Sequence, residues 1–399
     1  MAIGFVDGTV FVGDGRVLEN GTVVVDGERI VKVGEGNVSV PRDARKIPLN
    51  GRVLLPGFID SHVHICLDGS AYPHASLTSE TLAMTTLKAA QFARQTLMAG
   101  VTSIRDMGGK EWIDLTIRDA IRSGLILGPR MLASGRAICI TGGQGWYRGR
   151  EADGPYEVMK AVREQLKAGA DLVKFMATGG VMTPGVEPGS EAFTEEELRA
   201  GIQEAHKAGR KTATHANGTQ GILNALRAGI DSIEHGTMLN EEAISLMVER
   251  DVPLVPTLSA VYHIESKGVE GGIPAFAVEK LRRTITPFFR ESVRMAREAG
   301  VRIAMGTDAG TPFNVHGGNL GDLKRLVEVG FSPIEALESG TRIAAQVLGL
   351  ENELGTIEEG KLADLIVAEG NPMEDIELMA KPEAISLVMQ GGKLVKGES

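Results

Sequence analysis

Cysteine is nearly absent from the chain: only Cys66 and Cys139 occur among 399 residues. This excludes a disulfide framework and a cysteine-built zinc site. No stretch approaches the ~18 uninterrupted apolar residues that a membrane-spanning helix requires. The opening MAIGFVDGTVFVGDG has no basic region and no apolar core of signal-peptide length, so a cytoplasmic location is expected. Positive charge is in deficit, with Lys+Arg 42 against Asp+Glu 52 and a net charge of −10. That balance argues against nucleic acid or an anionic membrane as partner and leaves a small-molecule substrate. No glycine-rich dinucleotide fingerprint follows the first apolar run, which weakens the case for a doubly wound open sheet.

Glycine, in contrast, is plentiful at 51 residues, and its placement organises the chain. Residues 1–52 alternate apolar and polar positions and are broken by DG and NG turns, as in GTVVVDGERIVKVG. The last forty residues, with KLADLIVAEGNP and ISLVMQGGKLVKGE, read the same way. The middle has another rhythm: helical stretches end in a small residue plus Gly, and an apolar run follows (LMAG-VTSIRD, LKAG-ADLVKFMAT, HKAG-RKTATHA, LRAG-IDSIEHG, REAG-VRIAMGTD). Glycine there supplies the left-handed residue of a tight helix-to-strand turn. Thr194 with Glu197 and Ser332 with Glu335 have the spacing of capping boxes. Apolar runs near 53–59, 101–105, 130–134, 172–177, 211–215, 232–235, 253–258 and 302–307 alternate with helical patterns at 82–99, 155–168, 194–208, 218–228, 240–250 and 277–299. The expectation is an α/β chain whose residues 55–356 form a (β/α)₈ TIM-type barrel. Residues 1–54 and 357–399 would jointly form a small β-sandwich domain.

Six side chains fall at or near the C-terminal ends of these runs, the face where barrel active sites form. They are His62 and His64 after the first, Lys174 in the fourth, His215 in the fifth, His235 in the sixth and Asp308 in the eighth. Four of the chain's 8 histidines take these positions. In the H-x-H pair both imidazoles point to one side of a strand and can reach one ion. Lys174, flanked by apolar residues, is expected to lose basicity on burial. A neutral amine there can pair with a carboxylate, form a Schiff base, or take up CO₂ as a carbamate able to bridge two cations.

With these residues in view, the chain resembles the amidohydrolase superfamily, in particular its binuclear group with prolidase-like (Xaa-Pro dipeptidase) and imidazolonepropionase-related proteins. The likeness runs through VLLPGFIDSHVHI, GVTSIRDMGG, ADLVKFMATGGVMTP, THANGTQGI, GIDSIEHG, MGTDAGTP, SPIEALESGTRIAAQVLGL and LGTIEEGKLADLIVAEGNPMEDI. It implies two divalent ions, zinc in the first instance. His62, His64 and Asp308 would hold one ion, His215 and His235 the other, and carboxylated Lys174 would bridge them. It further implies that a bridging hydroxide hydrolyses an amide, in a dipeptide or N-acyl amino acid, with Asp308 relaying the proton. Assembly as a homo-oligomer is also implied.

Two departures bear on specificity. Relatives of this kind carry TGGHG and HAHG, where this chain has TGGQGW and HANG, placing Gln144 and Asn217. Tyr262 is a candidate oxyanion stabiliser, and Gln144, Tyr147, Arg148, Tyr262, His263 and His316 are candidate substrate contacts, with Tyr72, His74 and Trp146 also on the expected loops. Lactones, carbamates, ureas and phosphotriesters are alternative substrates for the same chemistry. The rival readings are a mononuclear imidazolonepropionase or deaminase type, a Schiff-base lyase using Lys174, and a non-enzymatic scaffold.

Overall fold

The computed structural model describes residues 2–36 and 38–397. Both chain ends contribute to one eight-stranded sheet, ordered Lys393–Lys396, Ile385–Gln390, Leu365–Ala368, Val53–Pro56, Ile3–Phe11, Val17–Asp26, Arg29–Glu35, with Arg45–Pro48 also on Ile3–Phe11. The expected sandwich is thus a single continuous hydrogen-bonded sheet. The reason is the shared strand Val53–Pro56, which pairs parallel with Ile3–Phe11 and antiparallel with Leu365–Ala368. Alternate apolar residues of both ends pack into one cluster, including Phe5, Val10, Val23, Leu54, Leu365, Val367 and Met389.

The apolar run at 53–59 divides between two sheets. Val53–Pro56 stays in the terminal sheet, and the next strand, Phe58–Val63, starts the central structure. The crossing is made at Gly57, whose N–H donates to Asp364 O at 2.8 Å. A β-carbon there would come within 2.3 Å of the Thr102 hydroxyl, so glycine alone fits the close approach.

The central strands are parallel. Phe58–Val63, Val101–Asp106 and Arg130–Ala133 pair in order, as do Leu172–Met176, Lys211–Ala216, Ile233–His235 and Leu254–Val255. Asp171 N–H donates to Ala133 O at 2.9 Å and joins the two groups. An eighth segment closes the path: Ile303 bridges Leu254 and Ala309 bridges Val63, both in parallel. Ser61 N–H donates to Met305 O and His64 N–H to Ala309 O, at 3.0 and 2.9 Å. The result is a hydrogen-bonded ring of eight segments.

Helices follow the ring strands as the small-residue-plus-glycine turns require. Gly100, Gly169, Gly209, Gly229 and Gly300 all have positive φ, and both capping boxes form. The helix expected over 277–299 is broken into Ala275–Lys280, a widened π turn at Leu281–Ile285, and Phe289–Glu298. Pro287 explains the break: it has no N–H to continue the ladder, and its ring crowds the carbonyl one turn earlier. Among the described residues no helix is long and apolar enough to cross a membrane.

Candidate metal centre

The six candidate side chains line one cavity at the mouth of the ring. His62 stands near the end of Phe58–Val63 and His64 just beyond it, with ring centroids 5.4 Å apart and nearly perpendicular. His235, closing Ile233–His235, lies 5.2 Å from His62 and 4.5 Å from His215 between ring centroids. Asp308 Oδ1 is 3.6 Å from His62 Nε2 and 3.4 Å from His64 Nε2. Lys174, in the middle of Leu172–Met176, is 1% exposed. Ligand atoms of His62, His235 and Asp308 fall within 4.8 Å of one another. His235 and Asp308 have φ of 70° and 60°. Left-handed backbone at residues with a β-carbon is a strained conformation concentrated at functional sites.

Outer partners fix which nitrogen each imidazole offers. His62 Nδ1 meets Glu234 Oε2 at 2.8 Å, and Arg105 donates from Nη2 to Glu234 Oε1 at 2.8 Å and from Nε to Ser61 O at 2.7 Å. His64 Nδ1 meets Gly108 O at 3.1 Å. Donation from Nδ1 in both rings leaves the Nε2 lone pairs for the cavity. His215 is turned the other way: Nε2 lies 3.0 Å from Gly179 O, so Nδ1 is its free nitrogen. His235 Nδ1 contacts the Thr257 hydroxyl at 2.7 Å. Asp60 accepts from His62 N, Thr307 N, Thr307 Oγ1 and Asn319 Nδ2, tying the first strand to the segment that carries Asp308.

Electrostatics follow from burial. His62, His64 and His235 are held well below the ordinary imidazole range and His215 is lowered to about 3, first by desolvation and then by nearby cationic groups. All four are therefore neutral, with lone pairs available at neutral pH. Burial brings Lys174 down to about 8, against the opposing pull of Glu234 and Asp308. Burial pushes Asp308 up to about 7, against Lys174 and Arg148. Asp308 Oδ1 is buried without a hydrogen-bond partner. Neutral imidazoles around an unsatisfied carboxylate oxygen form a nitrogen–oxygen donor set that suits zinc or a similar divalent ion.

The expected substrate contacts divide into two groups. Gln144 and Arg148 line the cavity, as does His74; Arg148 Nη2 lies 3.3 Å from His64 Nε2. Tyr147 packs behind them, its ring 5.1 Å from that of His74, and burial pushes its hydroxyl up to about 12. His316, Tyr262 and His263 are not among the residues that line the cavity. His316 stacks on Phe92 and lies 3.0 Å from Leu67 O through Nε2. Tyr262 lies beneath the Arg325 guanidinium, 3.4 Å from its ring centroid, in a separate groove with Leu258, Phe289 and Glu328. Helix periodicity is the cause: in Leu258–Lys267 the residues facing the cavity are Leu258's successors Ala260, Val261 and Ile264, which leaves Tyr262 and His263 turned away.

Sequence reasoning overlooked the Arg105–Glu234 pair beneath His62. The available signal was a charged residue directly after an isoleucine in each of two strands, Arg105 in VTSIRD and Glu234 in DSIEHG. It also overlooked an apolar wall made by Val261, Ile264, Leu281, Ile285 and Phe289, because the π turn that presents two of these residues has no simple sequence period.

Residues 53–395 match the amidohydrolase family. The chain is 32% identical over 429 residues to ochratoxinase of Aspergillus niger, a match covering 98% of this chain and 86% of that protein. It resembles the crystal structure of a Xaa-Pro dipeptidase with methionine bound in the active site, at 34% identity and a TM-score of 0.92, covering 100% of both chains. A prolidase complexed with N-methylphosphonate-L-proline is similar at 33% identity and a TM-score of 0.92, again covering 100% of both chains.

Proposed function

This chain belongs to the amidohydrolase family and is a hydrolase of carbon–nitrogen bonds; from that premise we propose that it is a metal-dependent hydrolase of an amide in a dipeptide or N-acyl amino acid. The ring is read as a (β/α)₈ barrel, with residues 1–54 and 357–399 as the accompanying β domain. One observation carries the functional reading: six side chains from four ring strands and the closing segment converge on one cavity, where Asp308 Oδ1 has no hydrogen-bond partner.

His62, His64 and Asp308 are the proposed holders of one divalent ion, and His215 and His235 of a second, with Lys174 as a carbamate between them. When bound, such ions polarise a carbonyl and bring the pKa of water towards about 7. Asp308, at the edge of this centre, would take a proton from the attacking water and hand it to the departing amine. Glu234 keeps the His62 proton on Nδ1 and Arg105 keeps Glu234 in place. Lys174, its amine made less basic by burial, is suited to combine with CO₂ and release a proton.

The close grouping of His62, His235 and Asp308 favours a second reading with one ion. Elemental analysis of protein purified without chelators decides between them: about two zinc-like ions per chain support the binuclear reading and about one supports the other. Lys174→Ala should then lower both metal content and turnover, the latter by about a hundredfold or more, with partial rescue by a short carboxylic acid. Unchanged metal content would remove Lys174 from the centre.

A further inference from the structure

The cavity is chemically two-sided. On one side, three polar side chains at least nine-tenths buried each carry an atom without a partner: His74 Nδ1, Gln144 Oε1 and Arg148 Nε. A buried polar atom left unsatisfied is unfavourable, and a cluster of them facing a cavity indicates a polar ligand group. A guanidinium and an imidazole beside an amide oxygen suit a carboxylate with a neighbouring N–H. These residues follow the first and third ring strands. The other side is apolar: Val261, Ile264, Leu281, Ile285 and Phe289 all follow the seventh strand. In a ring of eight, the third and seventh strands stand opposite each other, with the candidate metal ligands between them.

We infer that the substrate is an N-acyl amino acid with a large apolar acyl group, its carboxylate towards His74, Gln144 and Arg148 and its acyl chain against Leu281, Ile285 and Phe289. This rests on the amide-hydrolase reading above. It separates the two substrate classes left open there, because a dipeptide would place a free ammonium on the apolar side. Among the described residues lining the cavity, Asp308 is the one acidic group, and it belongs to the candidate metal centre. An ammonium against the far wall would therefore lose its hydration without gaining an anionic partner. Hydrolysis adds water across the C–N bond: the acyl carbon leaves as a carboxylate, and the amino acid leaves with its nitrogen as an ammonium.

The test compares leucyl-leucine with its desamino analogue, which lacks only the free ammonium, and adds N-acetyl-, N-butanoyl- and N-octanoyl-leucine, all with zinc-loaded protein. The desamino compound should exceed the dipeptide by about tenfold or more in kcat/KM, and the acyl series should rise with chain length. Val261→Asp, at a half-buried position on the wall, should narrow or reverse the preference against leucyl-leucine. Arg148→Gln should reduce discrimination between N-octanoyl-leucine and its carboxamide. A dipeptide cleaved as well as its desamino analogue, or a flat acyl series, would overturn the inference. Titration calorimetry with the same compounds separates it from the hydrolase reading. If no amide is cleaved but N-octanoyl-leucine binds more tightly than N-acetyl-leucine, the hydrolase reading fails and the two-sided site stands. If the two bind equally, the two-sided site falls.

Discussion

The terminal sheet and the mouth of the ring each bury a cluster of side chains, yet the two clusters are built from opposite materials. The sheet packs Phe5, Val10, Leu54, Leu365 and Met389 against one another. The mouth encloses Lys174, Arg105, Glu234, Asp60, His62 and His64 at 4% exposure or less. Burying apolar area stabilises by roughly 25 cal/mol per Å². Burying ionisable groups is unfavourable unless each finds a partner or stays neutral. The two regions therefore divide the work: one supplies stability, and the other uses it to hold low-basicity imidazoles, an unsatisfied carboxylate and left-handed backbone.

Four substitutions sharpen or break that division. The largest effect is expected from Asp308→Asn. Turnover should fall by about 10²–10⁴-fold, the range for loss of a proton-transfer group, while the melting temperature holds or rises, because an unpaired buried carboxylate is removed. Near-normal turnover would show that Asp308 carries no proton. Leu54→Ala, in the terminal sheet, should do the reverse. Stability in urea should drop by about 2–5 kcal/mol, and activity per folded molecule should stay unchanged; a loss of kcat in the folded fraction would mean that the two regions are not independent.

Glu234→Gln lies between these extremes. It removes the charge that orients His62 without touching the cavity, and zinc affinity should weaken by about 10–100-fold, as for other partners of metal-bound histidine. Competition with a chromogenic chelator measures this, and unchanged affinity would reduce Glu234 to a structural ion-pair partner of Arg105. The smallest effect concerns pH. Asp322, buried beneath Ser259 with Oδ2 unpartnered, is raised from 3.8 to about 7 by burial. The unfolded chain then loses this proton near the lower value and the folded chain near the higher. Stability contributed by the neutral acid is present at acid pH and declines as pH rises from about 4 to about 7. Relative to the wild type, Asp322→Asn should gain stability across that window and show no relative gain below it. Parallel curves for the two proteins would disprove the shift.

What could be read from the chain alone was local or periodic. The glycine turns at Gly100, Gly169 and Gly229 mark where helices give way to ring strands, and the strand-end histidines stand out against so few others. What could not be read is non-local. Arg105 and Glu234 are 129 residues apart in sequence and adjacent only in the ring. The division of the run at Gly57 depends on Thr102 pressing against it. The apparent long helix over 277–299 has the right apolar spacing, but Pro287 interrupts its ladder. Tyr262 lies on a helix whose rotation no local pattern fixes, and it therefore ends up under Arg325 instead of over the candidate metal ligands.

The shared strand Val53–Pro56 also gives the molecule an order of assembly. Its parallel neighbour, Ile3–Phe11, precedes it in the chain, but its antiparallel neighbour, Leu365–Ala368, emerges only after every strand of the ring. Until then Val53–Pro56 has one open edge, while Phe58–Val63, two residues further on, takes its own partners from Val101–Asp106 and the closing segment. A chain shortened before Leu365 should therefore keep an unpaired edge on Val53–Pro56. The terminal sheet thus joins strands made before the ring to strands made after it, through the one strand that leads into His62 and His64.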